Sequence, residues 1–142
     1  MSANLDLAFV DTNILIYTHD TTAGEKNKIA VDLINSIWDQ ENGCLSIQVL
    51  QEYYVVATRP AEIALSSEEA AAVIFLLSQW NVHIPTPNDI ISAIEVQKRY
   101  LVSFWDAMII NSAMQLGCDT LYTEDLNHGQ TYGSIKVINP FN

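Results

Sequence analysis

Four acidic residues occupy positions that a solvated surface does not explain: Asp11, Glu52, Asp106 and Asp125. If they share one pocket, their carboxylates repel one another and take up protons. Divalent cations relieve that repulsion, and hard oxygen ligands suit Mg²⁺ or Mn²⁺. A site of this kind can bind a phosphodiester, activate water and stabilise the leaving oxygen. The chemistry that these residues suggest is therefore metal-assisted phosphodiester hydrolysis.

Two of the acids follow segments that resemble buried strands. Asp11 comes directly after the apolar run 7–10, and Asp125 follows the run 120–123 with one residue between. In a parallel sheet, strand ends of this kind meet at the carboxyl edge, where sites gather. Other roles stay open at both positions. Asp11 can cap a helix that begins near Ile14, and Asp125 can be a turn residue.

The other two acids lie on helical segments. Glu52 has Val49 and Val56 one turn away, which predicts an apolar face where a carboxylate is costly unless it is paired or bound to a cation. Asp106 lies three residues after Ser103, in the first turn of a helix that must run antiparallel to the sheet and so begin at the carboxyl edge. Alternatively, Glu52 is a boundary residue whose head reaches water, and Asp106 completes a capping box with Ser103.

Strands and helices alternate along the chain. Short apolar strands are predicted near residues 7–10, 44–47, 82–84, 120–123 and 135–138, with helices in the intervals. This alternation predicts an α/β fold in which helices cover both faces of a mostly parallel, five-stranded sheet. In the helix that begins after Thr86, Ile90 and Ile94 are expected to mark the inner face.

Composition limits the class of protein. The chain has 142 residues, 49% of them hydrophobic and 16% charged, which predicts a single globular domain over residues 1–142. The longest apolar run, 70–77, is too short to span a bilayer. No basic leader with a long apolar stretch opens the sequence, so we expect a cytoplasmic protein without a membrane partner. Cys44 and Cys118 are expected to be reduced core residues.

The charge balance is strongly acidic. Six Lys and Arg residues face 17 Asp and Glu residues, for a formal net charge of -11. This argues against binding of nucleic acid through bulk electrostatics. Bound cations would reverse the local sign, so a metal-dependent site remains compatible with an anionic substrate. The same charge suits a basic protein partner.

Short segments around the four acids resemble the PIN-domain nucleases, most closely the VapC-type toxins of toxin–antitoxin pairs. The matching segments are FVDTN at 9–13, LQEY at 50–53, SFWDA at 103–107 and LYTEDL at 121–126. Their order and spacing match along essentially the whole chain. The resemblance implies a three-layer α/β/α sandwich and metal-dependent endoribonuclease activity.

The resemblance also implies roles for individual residues. The catalytic and metal-binding acids would be Asp11, Glu52, Asp106 and Asp125. Thr12 and Asn13 would support Asp11, and Thr123 could hydrogen-bond a metal-bound water or a phosphate. The neighbouring Glu124 is expected to be peripheral, because adjacent residues at a strand end point opposite ways.

The implied partners are RNA, a second copy of the chain in a homodimer, and an antitoxin whose basic C-terminal arm enters the site. Basic residues that could contact RNA are few, and the candidates are Arg59, Lys98 and Arg99.

Other functions that place an Asp after the first strand, or that use histidine ligands, fit the sequence less well. A haloacid-dehalogenase-type phosphatase needs a second Asp two residues after the first, where this chain has Asn13. His19, His83 and His128 lack the spacing of zinc ligands, although His128 could approach the pocket. Two alternatives keep the fold: a housekeeping PIN nuclease that acts in RNA processing, and a non-catalytic metal-binding interaction module.

Overall fold

The structure, a computed structural model, describes residues 6–142. The expectation about a leader rests on the start of the chain, and residues 1–5 lie outside the described part. The strands are β1 (Ala8–Val10), β2 (Gly43–Ser46), β3 (Asn81–His83), β4 (Thr120–Tyr122), β5 (Thr131–Tyr132) and β6 (Ile135–Ile138). The helices are α1 (Thr12–Tyr17), α2 (Glu25–Gln40), α3 (Ile47–Ala57), α4 (Ser67–Leu77), α5 (Pro87–Tyr100) and α6 (Phe104–Gln115), with a 3₁₀ turn at Thr21–Ala23.

The strands form one sheet in the order β3-β2-β1-β4-β6-β5, and every neighbouring pair is parallel except β5 and β6. This confirms the α/β sandwich with a central, mostly parallel sheet flanked by helices. The predicted number of five strands was wrong, because β5 is a sixth. It has only two residues and turns back into β6 at Gly133, whose φ is +60°. A strand this short carries no apolar run that a sequence pattern could detect.

The core lies along the centre of the sheet. Phe9 of β1 pairs with Cys44 of β2 on one side and with Leu121 of β4 on the other, and all three are fully buried. Cys44 and Cys118 are both buried and form no disulfide, as expected. Within residues 6–142, no helix combines the length and the apolar character needed to cross a membrane.

Side-chain caps fix where the helices begin at the carboxyl edge of the sheet. Ser46 ends β2 and accepts a hydrogen bond from the Val49 backbone, which starts α3. Ser103 accepts one from the Asp106 backbone at 3.1 Å, which starts α6. These caps satisfy orphan N–H groups of the first turn. They also place Glu52 and Asp106 in the opening turns of their helices, as predicted.

The inner face of α5 differs from the prediction. Ile90, Ile91 and Ile94 are exposed, whereas Asp89 and Ala93 are buried. The small Ala93 side chain packs with Ala107 and Met108 of α6, so the two helices approach closely along this face. The isoleucines consequently form an apolar outer face on the single chain.

A buried carboxylate fastens α5 to its neighbours. The Thr86 backbone and hydroxyl donate to Asp89 Oδ2 at 2.7 and 3.1 Å, and Asn111 of α6 donates to Oδ1 at 3.2 Å. His83 Nε2 of β3 lies 3.3 Å from Oδ2. The Thr86 backbone bond is the largest influence that lowers the pKa of Asp89. His83 Nδ1 also bonds the Ser112 hydroxyl, but Ser112 is 1% exposed and out of reach of a substrate.

We expect Asp89→Asn to lower the free energy of unfolding by about 2–3 kcal/mol, because an amide nitrogen would face donors that now meet a carboxylate oxygen. Chemical denaturation measures the change. Glu95→Gln removes the same charge from the exposed side of α5 and should stay within about 0.5 kcal/mol of wild type. Equal losses in the two variants would contradict this role of Asp89.

Candidate active site

Asp11 joins the end of β1 to the start of α1. Its Oδ1 accepts a hydrogen bond from the Thr12 backbone at 2.8 Å, so it caps α1, and its Oδ2 accepts one from the Thr123 hydroxyl at 2.9 Å. The residue is only 6% exposed. Burial raises the pKa of Asp11 to about 7, although the bonds from Thr12 and Thr123 oppose the rise. The helix cap and the site acid are therefore the same residue.

Glu52 reaches the same region from α3. Its carboxylate accepts hydrogen bonds from the Thr12 hydroxyl at 3.2 Å and from Gln48 Nε2 at 3.0 Å. Glu52 is exposed, so the expected position on an apolar face was wrong. Gln48 Nε2 also donates to the Trp105 carbonyl at 3.3 Å, which links α3 to the first turn of α6. Sequence reasoning missed Gln48, since a lone Gln on a helix gives no motif.

Asp125 is exposed and is held by the segment after β4. Its Oδ2 accepts a hydrogen bond from Asn13 Nδ2 at 3.0 Å, and its backbone N–H donates to the Thr123 hydroxyl at 3.1 Å. Asn13 Nδ2 also lies 3.3 Å from the Thr123 hydroxyl. Asn13, which was expected to support Asp11, thus holds Asp125 instead and connects α1 to the turn that carries it.

Asp106 lies in the first turn of α6 and is half-buried. Burial raises its pKa, a hydrogen bond with the Ser103 side chain opposes the rise, and the Asp125 and Glu52 carboxylates raise it further. The same two carboxylates also raise the pKa of Asp11. Electrostatic coupling therefore relates all four residues, which we call the acidic site.

A cleft of about 380 Å³ opens beside the acidic site. Its lining residues are Thr12, Asn13, Ile16, Tyr17, Asp20, Glu52, Val56, Glu62, Glu124 and Asp125. Glu52 and Asp125 thus contribute to the wall, whereas Asp11 and Asp106 are not part of it. Every charged residue in this lining is acidic.

Glu124 is more closely engaged than its predicted peripheral role implied. It accepts a hydrogen bond from the Tyr17 hydroxyl at 2.7 Å and forms an ion pair with Lys26 at 3.0 Å. The bond to the Glu124 carboxylate is the main reason that the pKa of Tyr17 is raised. The Glu124 backbone donates to Asn13 Oδ1 at 3.4 Å. Lys26 is far from Glu124 in sequence, so no local pattern could reveal the pair.

The proposed RNA contacts lie outside the cleft lining. Arg59 follows α3, and Lys98 and Arg99 occupy the last turn of α5, all of them exposed. His128 accepts a hydrogen bond from the Asn139 backbone at 3.0 Å through Nδ1. That bond gives His128 a role in the loop near the C-terminus.

The chemistry of the four acids suits a hard cation, but their side chains are not grouped closely in this structure. All four side chains of the acidic site offer carboxylate oxygens, and Asp11 is buried with no ion pair among residues 6–142. Within that range, no three His, Cys, Asp or Glu side chains are grouped closely enough to hold a metal ion. Hydrogen bonds from Thr12, Gln48 and Asn13 occupy oxygens of Glu52 and Asp125. A cation would compete with these bonds for the same oxygens.

The sequence model of the PIN domain family matches residues 8–133 of this chain. The chain belongs to the PIN domain family. No curated protein sequence matched it. The four segments that carried the resemblance, at 9–13, 50–53, 103–107 and 121–126, all fall within the matched range of this PIN domain.

Several solved structures share the fold. A toxin–antitoxin complex from Klebsiella pneumoniae superposes with a TM-score of 0.68 at 20% identity, over 94% of this chain and 97% of that one. VapC20 of Mycobacterium tuberculosis superposes with a TM-score of 0.63 at 23% identity, over 83% of this chain and 89% of that one. DNA-bound VapBC from Salmonella typhimurium superposes with a TM-score of 0.65 at 19% identity, over 94% of this chain and 97% of that one. At these identities the likeness establishes the fold alone.

The raised pKa of Asp11 predicts how stability varies with pH. The Asp11 carboxyl keeps its proton up to about pH 7 when folded, but it ionises near its usual value of 3.8 when unfolded. Folding stability therefore falls as pH rises through that interval. We expect Asp11→Asn, which keeps the cap and lacks the charge, to match wild type near pH 4. At pH 8, without metal, the variant should be more stable by about 2–4 kcal/mol.

Denaturation at several pH values measures this difference. Asp39→Asn, on the exposed side of α2, is the matched control and should follow wild type throughout. A gap between Asp11→Asn and wild type that does not change with pH would show that burial of the charge is not the cause.

Proposed function

We propose that this PIN domain is a Mg²⁺- or Mn²⁺-dependent endoribonuclease and the toxin of a toxin–antitoxin pair. The observation that carries the proposal is the buried Asp11 carboxylate, electrostatically coupled to Glu52 and Asp125 and lacking a cationic partner in the described chain. A protein gains little stability from such an arrangement unless a cation binds it. Oxygen donors without nitrogen or sulfur favour Mg²⁺ or Mn²⁺.

The solved relatives support RNA as the substrate and an antitoxin as the partner. VapC20 is described as a toxin that cleaves the sarcin–ricin loop. The Klebsiella structure is a toxin–antitoxin complex, and the Salmonella structure is VapBC bound to DNA. The fold is shared over most of each chain, and the PIN family model covers the segments that contain all four acids.

The four carboxylates of the acidic site divide into metal ligands and a candidate base. Asp11, Asp106 and Asp125 would hold the metal, which supplies charge neutralisation of the scissile phosphate and lowers the pKa of bound water. Glu52 is exposed at the cleft and accepts a proton from the attacking water on a carboxylate oxygen, or serves as a further ligand. Attack on phosphorus would break the bond to the 3′ oxygen, which would take a proton from solvent. The products would carry a 5′-phosphate and a 3′-hydroxyl. Thr123 is fully buried and its hydroxyl already donates to Asp11 Oδ2, so it would support the acids and not touch a phosphate directly.

Two protein partners are part of the proposal. The outer face of α5 exposes Ile90, Ile91 and Ile94, which a second copy of the chain in a homodimer would cover. The acidic lining of the cleft, which includes Asp20 and Glu62, favours a basic C-terminal arm of an antitoxin. Arg59, Lys98 and Arg99 stay available for RNA at the exposed surface.

Cleavage of labelled structured RNAs tests the activity. We expect cuts with Mg²⁺ or Mn²⁺, no cuts with a chelator, and a rate about 10²–10⁴-fold lower in Asp11→Asn, Asp106→Asn and Glu52→Gln. Asp39→Asn should cut like wild type. A folded protein that binds Mn²⁺ but cuts no RNA in a broad panel would favour a binding module instead.

The ends of the products test the mechanism separately. Attack by water predicts a 5′-phosphate and a 3′-hydroxyl, which a ligase or a phosphatase can distinguish. Products that carry a 2′,3′-cyclic phosphate would show that the RNA 2′-hydroxyl is the nucleophile, and the role assigned to Glu52 would be wrong.

The basic arm can be tested with an arginine-rich peptide as the probe. We expect the peptide to inhibit cleavage at low salt and to lose its effect at high salt, because the attraction is screened. A double variant, Asp20→Asn with Glu62→Gln, should weaken the inhibition about tenfold and leave the cleavage rate near that of wild type. Inhibition that is indifferent to salt and to the variant would contradict an electrostatic fit.

A further inference from the structure

Trp105 is exposed where a tryptophan is usually covered. The residue is 64% exposed, although tryptophan is highly buried on average. It lies in the first turn of α6 and directly precedes Asp106 of the acidic site. A single exposed apolar residue is common on a protein surface. The position directly before Asp106 is what makes this ring a candidate contact for a ligand of the site.

Hydrogen bonds attach Trp105 to two of the elements that carry site acids. Its backbone carbonyl accepts a bond from Gln48 Nε2 at 3.3 Å, and the same amide donates to Glu52 at 3.0 Å. Glu52 in turn accepts from Thr12, the residue after Asp11. The backbone that carries the indole is thus tied to α3, next to the acids of the site.

The indole also has a rigid support. The Phe104 ring meets it edge-on, with the ring centroids 5.2 Å apart and the planes at 74°. Phe104 itself is half-buried against Ala93, Ala107 and Met108, the contact between α5 and α6. A ring held in this way loses little conformational entropy when another flat group stacks on it.

Charge indicates what kind of contact an RNA strand can make here. The charged residues that line the cleft are all acidic, and the adjacent Lys26 is paired with Glu124. Phosphate groups therefore find little electrostatic attraction in the cleft before a cation binds. Stacking of a base on an aromatic ring needs no charge and tolerates any base, since every base has a π-face.

We propose that Trp105 is a stacking platform for a nucleobase of single-stranded or looped RNA next to the phosphate that is cut. This inference rests on the proposed function. It adds Trp105 as a residue that contributes to the affinity for RNA and not to the chemical step. A neighbouring base stacked on the indole fixes the register of the strand, so that one phosphate lies over Asp106 and the other acids.

Kinetics of Trp105→Ala test the platform. We expect KM for a short single-stranded RNA to rise about tenfold or more, with kcat within about twofold of wild type. Trp105→Phe retains a ring and should recover most of the loss. The matched control is Phe75→Ala, which removes an aromatic side chain that is 69% exposed on α4, a helix that contributes nothing to the cleft lining.

A binding measurement separates this inference from the proposed function. The anisotropy of labelled RNA with Ca²⁺ in place of Mg²⁺ reports affinity whether or not wild type cleaves RNA. Absence of cleavage in wild type would overturn the proposed function, whereas weaker binding by Trp105→Ala alone would still support stacking.

Three results would overturn the platform. Unchanged KM and affinity in Trp105→Ala would show that no base rests on the indole. Loss of kcat alone would mean that the ring only positions Asp106. A lower molar mass in sedimentation for Trp105→Ala, but not for Phe75→Ala, would show that a second copy of the chain covers the ring.

Discussion

The buried carboxylate of Asp11 is the constraint on which the rest of the site depends. It lies at the end of the central strand, where burial raises its pKa to about 7. The protein tolerates this cost because the same side chain caps α1 and accepts the Thr123 hydroxyl. Moving Asp11 would thus disturb the start of a helix as well as the site. A cation bound as proposed would stabilise this charge and would couple the stability of the fold to metal binding.

Polar side chains that are not themselves acids hold the surrounding carboxylates. Thr12 and Gln48 bind Glu52, and Asn13 binds Asp125, so each acid is tied to a neighbouring element rather than left to repel the others freely. Among residues 6–142, no three of the acidic side chains are grouped closely enough to hold a metal ion. A cation would exchange such hydrogen bonds for stronger coordination.

The sequence predicted the fold and the elements that carry the four acids, because both depend on local patterns. Apolar runs located β1, β2, β3, β4 and β6, and capping residues such as Ser46 and Ser103 located helix starts. Sequence patterns did not predict the features that depend on contacts between residues far apart in the chain. The strand β5 is too short to show a pattern, and α5 buries Asp89 instead of Ile90 because Asn111 and His83 meet it from other elements. Likewise, the pairing of Lys26 with Glu124 depends on the folded chain alone.

Calorimetric titration of the wild-type protein with Mn²⁺, in buffers of different ionisation enthalpy, tests the central claim most directly. At pH 6 the Asp11 carboxyl holds a proton that a cation must displace, whereas at pH 8.5 that proton is already lost. The account predicts proton release on binding at pH 6, little at pH 8.5, and loss of both the release and most of the affinity in Asp11→Asn. Binding that releases no proton at pH 6 and is unaffected by Asp11→Asn would contradict it.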